Sequence, residues 1–154
     1  MDLHAKLKEL DAELPPVTQA SADYEPAVLQ DGRLLVSAQV PMHNGALVEV
    51  GPVGGGNDAL QAAQKAAERC VLNGLAAADH ALQQDWSRFK RVLKLNVWVT
   101  ASPEFEGPHH VANAASKLLT DLFGDAGKHA RSAIGVASLP RNSQVMLDLE
   151  LAVS

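Results

Sequence analysis

Cysteine and aromatic residues are scarce in this 154-residue chain. The single cysteine, Cys70, has no partner for an internal disulfide, which is typical of a protein from a reducing compartment. Only 4% of the residues are aromatic although 47% are hydrophobic, so a core has to be built mainly from leucine, valine and alanine. A chain of this length is expected to form one domain, which we place at residues 1–154.

The chain also lacks a basic cluster and a long apolar run. Its net charge is −5, and no stripe of lysine or arginine is visible, which argues against a nucleic acid partner held through phosphate contacts. No apolar segment approaches the roughly 18 residues that cross a bilayer. The first 16 residues, MDLHAKLKELDAELPP, are charged and periodic, unlike a signal or transit peptide. We therefore predict a cytoplasmic protein without a membrane or nucleic acid partner.

Motifs for metals and nucleotide cofactors are missing as well. There is no His-Glu-x-x-His spacing for zinc and no Gly-x-Gly-x-x-Gly fingerprint for a dinucleotide. The glycine-rich segment 51–58, GPVGGGND, lacks the Gly-Lys-Ser/Thr ending of a phosphate-binding loop. We predict no metal and no cofactor. We interpret 51–58 as a flexible loop beside a cleft, with Asn57 or Asp58 capping the helix that follows.

The first third of the sequence predicts a helix and then a β-hairpin. Four leucines recur at helical spacing before two prolines end the pattern (Leu3, Leu7, Leu10, Leu14; Pro15-Pro16). This pattern indicates an amphipathic helical extension over residues 1–16. In segment 27–41, AVLQDGRLLVSAQVP, two apolar runs flank Asp31-Gly32, which is a strong hairpin signal.

The remainder predicts two longer helices and several strands. Periodic segments rich in alanine and leucine indicate helices over 58–84 and 110–124, and Gly124 is the expected C-cap of the second. Alternating apolar residues indicate strands over 89–101, 131–138 and 144–153, with a short strand near 46–50. This order predicts an α+β fold in which a mixed sheet carries two long helices on one face.

The predicted sheet has two unlike faces. In the last strand the core side is Val145, Leu147, Leu149, Leu151 and Val153, and the other side is Met146, Asp148, Glu150 and Ala152. In the preceding strand we place Ile134 and Val136 toward the core. The non-core side then carries Arg131, Ala133, Gly135 and Ala137, together with Trp98 of the long strand. Because this second face mixes small and apolar residues with few charges, we expect another chain to cover it.

Arg131 opens an otherwise small and apolar strand in KHARSAIGVASLP (128–140). A guanidinium beside a water-poor surface needs a partner, and its planar fork binds a carboxylate through two parallel hydrogen bonds. One interpretation is that Arg131 binds a small carboxylate ligand. The other is a structural ion pair with a neighbouring subunit. His129, two residues earlier, either positions this segment or is a surface histidine.

Taken together, these segments resemble the Rid (reactive intermediate deaminase, YjgF-like) family, in its longer branch. The resemblance covers nearly the whole chain from about Leu3. It is carried by Tyr24 and by LLVSAQVP (34–41), AAERCVLNGLAA (67–78), VANAASKLLTDLFGDAGKHARSAIGVASLP (111–140) and VMLDLELAV (145–153). The pattern HARSAxGVAxLP is the most specific of these.

The resemblance implies a chorismate-mutase-like α+β fold and a homotrimer. In such a trimer the sheets surround a central barrel and the ligand clefts lie between subunits. The resemblance also implies hydrolysis of reactive 2-enamino and 2-imino acids to 2-keto acids and ammonia.

Several site residues follow from the resemblance. Arg131 matches the arginine that grips the substrate carboxylate. Tyr24 matches a tyrosine that lines the cleft. Ser37 matches the serine of a Ser-Gly-Gln stretch, whereas Ala38 replaces the glycine of that stretch.

Other positions match the family pattern less well. Asn113 matches a cleft asparagine on the second long helix, with Ser116 one turn away as the alternative, and we include Ala133 among the ligand contacts. The acidic residue that handles the attacking water in the family aligns with Met146, and a thioether cannot perform general acid–base catalysis. Asp148, two residues along the strand, either replaces it or forms a salt bridge between subunits.

Two functions fit the site residues that the resemblance implies. The first is an imine and enamine deaminase, and the second is a non-catalytic protein that binds a 2-keto acid or another small carboxylate in the same cleft. Met146 and Ala38 favour the second. Nuclease activity, which is known for some relatives, is disfavoured by the negative net charge. Cys70 lies on an apolar helix stripe and is expected in the core.

Overall fold

A computed structural model describes all 154 residues, which form three helices and seven strands. The helices are α1 (Leu3–Glu9), α2 (Asn57–Ala81) and α3 (Pro108–Phe123). The strands are β1 (Ala27–Gln30), β2 (Arg33–Gln39), β3 (Met42–His43), β4 (Ala46–Leu47), β5 (Phe89–Thr100), β6 (Ala130–Val136) and β7 (Val145–Val153). The predicted α+β class is confirmed.

One mixed sheet of five strands organises the molecule in the order β1-β2-β7-β5-β6. The β5–β6 pair is parallel, and the other neighbours in this sheet are antiparallel. A parallel pair needs a crossover connection, and α3 supplies it between β5 and β6. The small β3–β4 hairpin lies outside this sheet.

The turn between β1 and β2 forms as its two residues predict. Asp31 and Gly32 both have positive φ angles, 49° and 75°, which is the backbone requirement of a type I′ hairpin turn. Aspartate and glycine adopt this conformation more readily than other residues. The turn aligns Ala27 with Val36 and thereby sets the register of this sheet edge.

Two predicted details at helix ends are wrong. The N-terminal helix ends at Glu9, well before the prolines, because Asp11 turns the chain in the left-handed region with φ 54°. Leu10 is consequently exposed. At the start of α2, Gly56 is the N-cap and no side chain accepts a hydrogen bond there, so neither Asn57 nor Asp58 caps this helix.

The core lies between the sheet and the helices α2 and α3. Helix α2 packs on β1, β2 and β7, whereas α3 packs on β5 and β6. Small alanine side chains of α2 let the helix approach the sheet closely, and Cys70 is fully buried among them. Three of the six aromatic residues form one cluster, in which the ring centroids of Phe89 and Phe123 are 4.5 Å apart and Trp86 contacts both.

The alternation along β5 shifts near its middle. Val92 is buried and Leu93 is only partly buried, whereas the sequence places Leu93 on the core side. The pairing of β5 with β7 is irregular between Val92 and Lys94, and an extra residue there changes the side to which following residues point. Leu95, Val97 and Val99 then face the core as predicted.

The prediction for the two faces of β6 is also wrong. In a paired register, residues opposite each other share one face of the sheet. Arg131, Ala133 and Gly135 pair with Leu95, Val97 and Val99, and therefore lie on the helix side. Ile134 pairs with Trp98 on the other side and is 49% exposed.

The side of the sheet that faces away from the helices is called the open face below. Large apolar side chains on this face come from every strand of the five-stranded sheet, and the other positions are alanine, valine, polar or charged residues. The large apolar residues are Val28, Leu35, Trp98, Ile134 and Met146, and Val136 lies on the same side of β6 as Ile134, contrary to its predicted core position. Half-exposed side chains of this kind in several adjacent strands are typical of a surface that contacts another protein.

None of the three helices combines the length and the hydropathy that a membrane span needs.

Candidate functional site

Arg131 is held by hydrogen bonds to Asn113 and Ser116 of α3, and these three residues are called the Arg131 clamp below. Its Nη1 donates to Asn113 Oδ1 at 2.9 Å and to Ser116 Oγ at 3.2 Å. Asn113 and Ser116 are three residues apart on α3 and therefore point to the same side of the helix. The sequence leaves open which of the two lies at the site, and the structure brings both to Arg131.

The remaining donors of Arg131 point to no partner in the chain. Arg131 is half-buried, and no carboxylate of the chain forms a salt bridge with it. A guanidinium has five N–H donors, and the two on Nη1 are engaged by Asn113 and Ser116. The edge formed by Nε and Nη2 is thus available, and this edge has the spacing of a carboxylate.

His129 supports the clamp from behind. Its Nδ1 lies 2.6 Å from the carbonyl oxygen of Gly127, and its Nε2 lies 3.1 Å from Ser116 Oγ. Since a carbonyl only accepts, Nδ1 carries the proton and Nε2 accepts from the Ser116 hydroxyl. Burial, and to a smaller extent the charge of Arg131, lower the pKa of His129, which favours this neutral form.

The chain reaches this arrangement through two glycines after α3. Gly124 ends the helix with φ 59°, as predicted for the C-cap. At Gly127 a Cβ atom would lie 2.2 Å from the carbonyl oxygen of Leu119, so only glycine fits where the chain doubles back against α3. His129 and Arg131 follow directly, and their contacts with Ser116 depend on this close approach.

Tyr24, Ser37 and Ala38 lie at the far side of the sheet from Arg131. The Ser37 hydroxyl donates to the carbonyl oxygen of Glu25 at 2.6 Å, and the pairing of β2 with β7 is irregular at this point. Tyr24 is 52% exposed and makes no side-chain hydrogen bond, so its ring is available for contact and is not part of the core. These residues form a second candidate surface.

Met146 and Asp148 belong to a third location. Both lie on the open face of β7, opposite Trp98 and Asn96 of β5. Asp148 Oδ1 accepts from Asn96 Nδ2 at 2.8 Å, and burial raises the pKa of Asp148 although this hydrogen bond opposes the effect. Arg131 lies on the helix side of the sheet, so Met146 and Arg131 do not share the face on which both were predicted.

The predicted site residues therefore do not meet within one chain. The strand that carries Ser37 is separated from β6 by β7 and β5, which is a distance of about 14 Å at three strand spacings. Arg131 stands at one edge strand, and Tyr24 precedes the other edge strand, β1. A second copy that places its β1–β2 edge beside β6 would bring the two surfaces together.

The hydrogen bonds of Ser116 and His129 could have been found only in part from sequence. The spacing of Asn113 and Ser116 indicates a shared helix side, and the crossover from α3 to β6 indicates that this side meets Arg131. Nothing in the sequence shows that His129 turns its ring toward Ser116, because that orientation depends on the tight passage at Gly127.

Other reactive side chains do not gather into a site. Cys70 is buried, and its pKa is raised well above its ordinary value by burial, which makes it a poor nucleophile. No three side chains of histidine, cysteine, aspartate or glutamate converge on a point that would hold a metal ion.

Similarity to known proteins agrees with this architecture. A sequence model described as "YjgF/chorismate_mutase-like, putative endoribonuclease" matches residues 4–152. Protein TCP17 of Trypanosoma cruzi is 37% identical over 145 residues, which cover 94% of this chain and 89% of that protein.

Two solved structures superpose over nearly the full chain. Atu1372 of Agrobacterium tumefaciens, a protein of unknown function, is 41% identical with a TM-score of 0.90, covering 99% of this chain and 92% of its own. A protein of Shewanella oneidensis with the same endoribonuclease designation is 26% identical with a TM-score of 0.91, covering 99% of both chains. The chain belongs to the YjgF/chorismate-mutase-like family, which includes the Rid proteins.

Proposed function

We propose that the protein binds small 2-imino acids by their carboxylate in a cleft between two subunits and hydrolyses them to 2-keto acids and ammonia. One observation carries the proposal. Arg131 is held by neutral groups only, and the edge of its guanidinium that fits a carboxylate is free. A half-buried charge without a counter-ion is costly, and a ligand carboxylate would offset that cost.

The Arg131 clamp determines how a ligand would bind. Two parallel N–H donors, from Nε and Nη2, would grip the two carboxylate oxygens, and each charge-assisted bond contributes roughly 1.5–3 kcal/mol. Asn113 and Ser116 prevent the guanidinium from rotating, which reduces the entropy lost when the ligand binds. The same geometry accepts the 2-keto acid product, since the carboxylate is unchanged by the reaction.

The reaction itself requires little from the protein. A protonated imine at C2 is attacked by water and a C–O bond forms. One proton then moves from this oxygen to the nitrogen, the C–N bond breaks as the remaining hydroxyl becomes the C2 carbonyl, and the hydroxyl proton leaves with the ammonia as ammonium. The carboxylate anchor orients C2 toward the attacking water in the cleft between two subunits. Proton transfer by a positioned side chain adds roughly 10²–10⁴ in rate, and Met146 cannot provide it.

A binding protein without catalysis is the second candidate, and Met146 is the observation that favours it. Asp148 is the nearest acid along β7, but its Oδ1 is engaged by Asn96 and its pKa is raised by burial. A subunit cannot use its own Asp148 beside its own Arg131, because the two lie on opposite faces of the sheet.

A closed ring of three copies is part of the proposal. The β6 edge and the β1–β2 edge are different surfaces, so their contact is heterologous and repeats until a ring closes or a filament grows. The apolar residues of the open face would then be covered at the centre of the ring. The endoribonuclease designation belongs to the relatives and is not carried over, since a chain with net charge −5 has no evident basic groove.

An assay of freshly generated 2-iminobutyrate decides between the two candidates. An enzyme releases ammonia faster than the buffer alone, and Arg131→Ala abolishes the excess. Met146→Glu should raise the rate about tenfold or more if the missing acid limits catalysis.

Asp148→Asn is the complementary variant, because it removes the carboxylate and keeps an oxygen for the Asn96 hydrogen bond. A loss of activity with intact ligand binding assigns the water-activating role to Asp148. If the wild-type protein binds 2-oxobutyrate but neither it nor Met146→Glu accelerates hydrolysis, the protein is a binder and the enzymatic proposal is wrong.

A further inference from the structure

A second cavity lies away from the Arg131 clamp. Its volume is about 1160 Å³, slightly above the roughly 300–1,000 Å³ typical of small-molecule sites. Three walls enclose it: α1 with the segment that follows to residue 18, the β3–β4 hairpin, and one side of α2. No residue of α3 or β6 belongs to its lining, so it is separate from the proposed cleft.

Arg69 is the half-buried charged group of this cavity, and it has no partner, whereas Lys8, Asp11 and Glu13 are exposed to solvent. The chain has six arginines, and each of the other five donates a side-chain hydrogen bond or forms an ion pair. Arg69 does neither, although it is half-buried in the wall formed by α2. An arginine that loses water without gaining a counter-ion is unfavourable, and an anion in the cavity would supply the missing interaction.

Asn73, one helical turn after Arg69, adds a second polar group. It is 6% exposed and lines the cavity. Its Nδ2 donates to the carbonyl oxygens of Val40 and Met42 at 3.0 Å and 3.1 Å, which fixes the orientation of the amide. Its Oδ1 accepts no hydrogen bond from the protein. This oxygen can accept from an ordered water or from a ligand.

The charges of the lining select the kind of anion. Lys8 and Arg69 are balanced by Asp11 and Glu13, so the fixed charges of the walls sum to zero. In a chain with net charge −5, such a cavity disfavours a phosphate dianion and suits a single negative charge at Arg69.

The apolar part of the lining selects the rest of the ligand. Partly exposed apolar side chains from two of the walls, the N-terminal segment and the β3–β4 hairpin, line the cavity (Leu14, Val17, Met42), and Leu7 and Leu72 are buried behind them. A hydrocarbon group that covers this surface gains about 25 cal/mol of binding free energy for each Å² of apolar surface removed from water. The walls thus combine one half-buried cation, Arg69, with an apolar patch, and a ligand that carries one charge and one apolar group matches both.

We infer that this cavity is a ligand site for an amphiphilic monocarboxylate, with Arg69 binding the carboxylate and Leu14, Val17 and Met42 contacting the hydrocarbon part. The site is independent of the proposed deaminase cleft. Because its outer wall is α1 and the residues after it, a bound ligand would contact this extension and α2 at the same time.

Titration calorimetry with sodium octanoate on the full-length protein tests the inference. The wild type should bind octanoate saturably, and Arg69→Ala should weaken the affinity at least tenfold. Lys65→Ala is the matched control, because Lys65 is an exposed cation one turn earlier on α2 and does not line the cavity. Octanamide, which has the same shape without the charge, should bind at least tenfold more weakly than octanoate.

Two further measurements separate this site from the Arg131 cleft. Arg131→Ala should leave octanoate binding unchanged, whereas it abolishes 2-oxobutyrate binding if the proposed function is correct. Amide chemical shifts of ¹⁵N-labelled protein should change at Lys8, Arg69 and Asn73 on addition of octanoate. Equal affinity of Arg69→Ala and Lys65→Ala, shifts confined to Asn113 and Arg131, or no saturable binding would each overturn the inference. Arg69→Gln replaces Arg69→Ala if the latter does not fold.

Discussion

At the scale of single residues, Arg131 shows how neutral groups can prepare a charge for a ligand. Asn113 and Ser116 satisfy one nitrogen of the guanidinium without neutralising it, and His129 holds Ser116 in turn. An acidic partner in the same place would compete with a ligand carboxylate. The contacts of Arg131 thus favour an exchangeable anion over a permanent ion pair.

Arg131→Lys should weaken the binding of 2-oxobutyrate at least tenfold, which corresponds to about 1.4 kcal/mol. A lysine keeps the charge but cannot form the two parallel hydrogen bonds. Calorimetric titration measures the change. Arg88→Lys serves as the control, because Arg88 donates to the Ser154 carbonyl oxygen at the other end of the sheet. An unchanged affinity in Arg131→Lys would show that Arg131 is a structural residue.

His129 should make stability depend on pH. Its pKa is lowered in the folded protein, mainly by burial, so the unfolded chain binds a proton first as the pH falls below about 6.5. The stabilisation is complete above that pH and is lost as the pH drops through the folded-state pKa.

The melting temperature of His129→Gln should therefore fall less between pH 7.5 and pH 5 than that of the wild type. His80→Gln is the control, because His80 is an exposed residue at the end of α2. Identical pH profiles for the wild type and His129→Gln would contradict the assignment.

At the scale of elements, the segment between α3 and β6 controls the site. The chain leaves α3 at Gly124, passes Gly127 in contact with the backbone of Leu119 and Thr120, and enters β6 within three residues. Any displacement here moves His129 and Arg131 relative to Ser116. Stability and ligand affinity should consequently change together in this segment.

Gly127→Ala should destabilise the protein by about 1–3 kcal/mol or more, because its methyl group would lie 2.2 Å from a backbone oxygen that cannot rotate away. Denaturant unfolding measures the loss, and 2-oxobutyrate affinity should fall in parallel. Gly54→Ala is the control, since a Cβ at Gly54 meets nothing within 4 Å. Equal stability of the two variants would refute the close approach.

Much of the fold could be predicted from local patterns, whereas the faces of the sheet could not. Asp31-Gly32 and Gly124 are signals that only a few conformations satisfy, and both have the predicted positive φ. Alternation in β6 separates two sets of residues but does not show which set faces the helices. Ile134 is apolar and was expected inside, yet its register with Trp98 places it on the open face.

The candidate site was predictable to a similar extent. Arg131 and Asn113 follow from the resemblance and meet in the structure. The predicted shared face of Arg131 and Met146 was wrong, because the pairing of β6 with β5 places Arg131 opposite the core residue Leu95, and a short segment does not encode that pairing. Tyr24 and Ser37 are separated from Arg131 by the width of the sheet, and no motif within one chain reports that separation.

At the scale of the whole molecule, the open face is the feature that a single chain leaves unresolved. Leu35 and Ile134 are 46% and 49% exposed on strands at opposite sides of the sheet. A monomer would keep this apolar surface in water, and such surfaces are rare on monomeric proteins. Assembly through this face also gives the two halves of the candidate cleft a way to meet.

The protein should have in solution a mass of three 16.3 kDa chains, measured by light scattering coupled to size exclusion. Ile134→Asp should shift the mass toward one chain and remove 2-oxobutyrate binding with it, because a carboxylate at this position would be buried in the interface. Leu10→Asp is the control, since Leu10 is equally apolar and exposed but lies on the N-terminal extension. A monomeric wild type that still binds the ligand would exclude a cleft between subunits.

The lone cysteine gives this molecule a built-in reporter of its own opening. Cys70 lies in α2 against β7 at 0% exposure, and its Sγ is 3.8 Å from the carbonyl oxygen of Val145. A thiol reagent reaches it only when α2 separates from the sheet. The rate of modification at a chosen pH therefore measures how often this local opening occurs. Any compound that binds only the folded protein slows this rate by a factor that depends on its concentration and its dissociation constant. Ligands of either cavity can therefore be ranked by the protection of one sulfur atom, without an activity assay and without an introduced label.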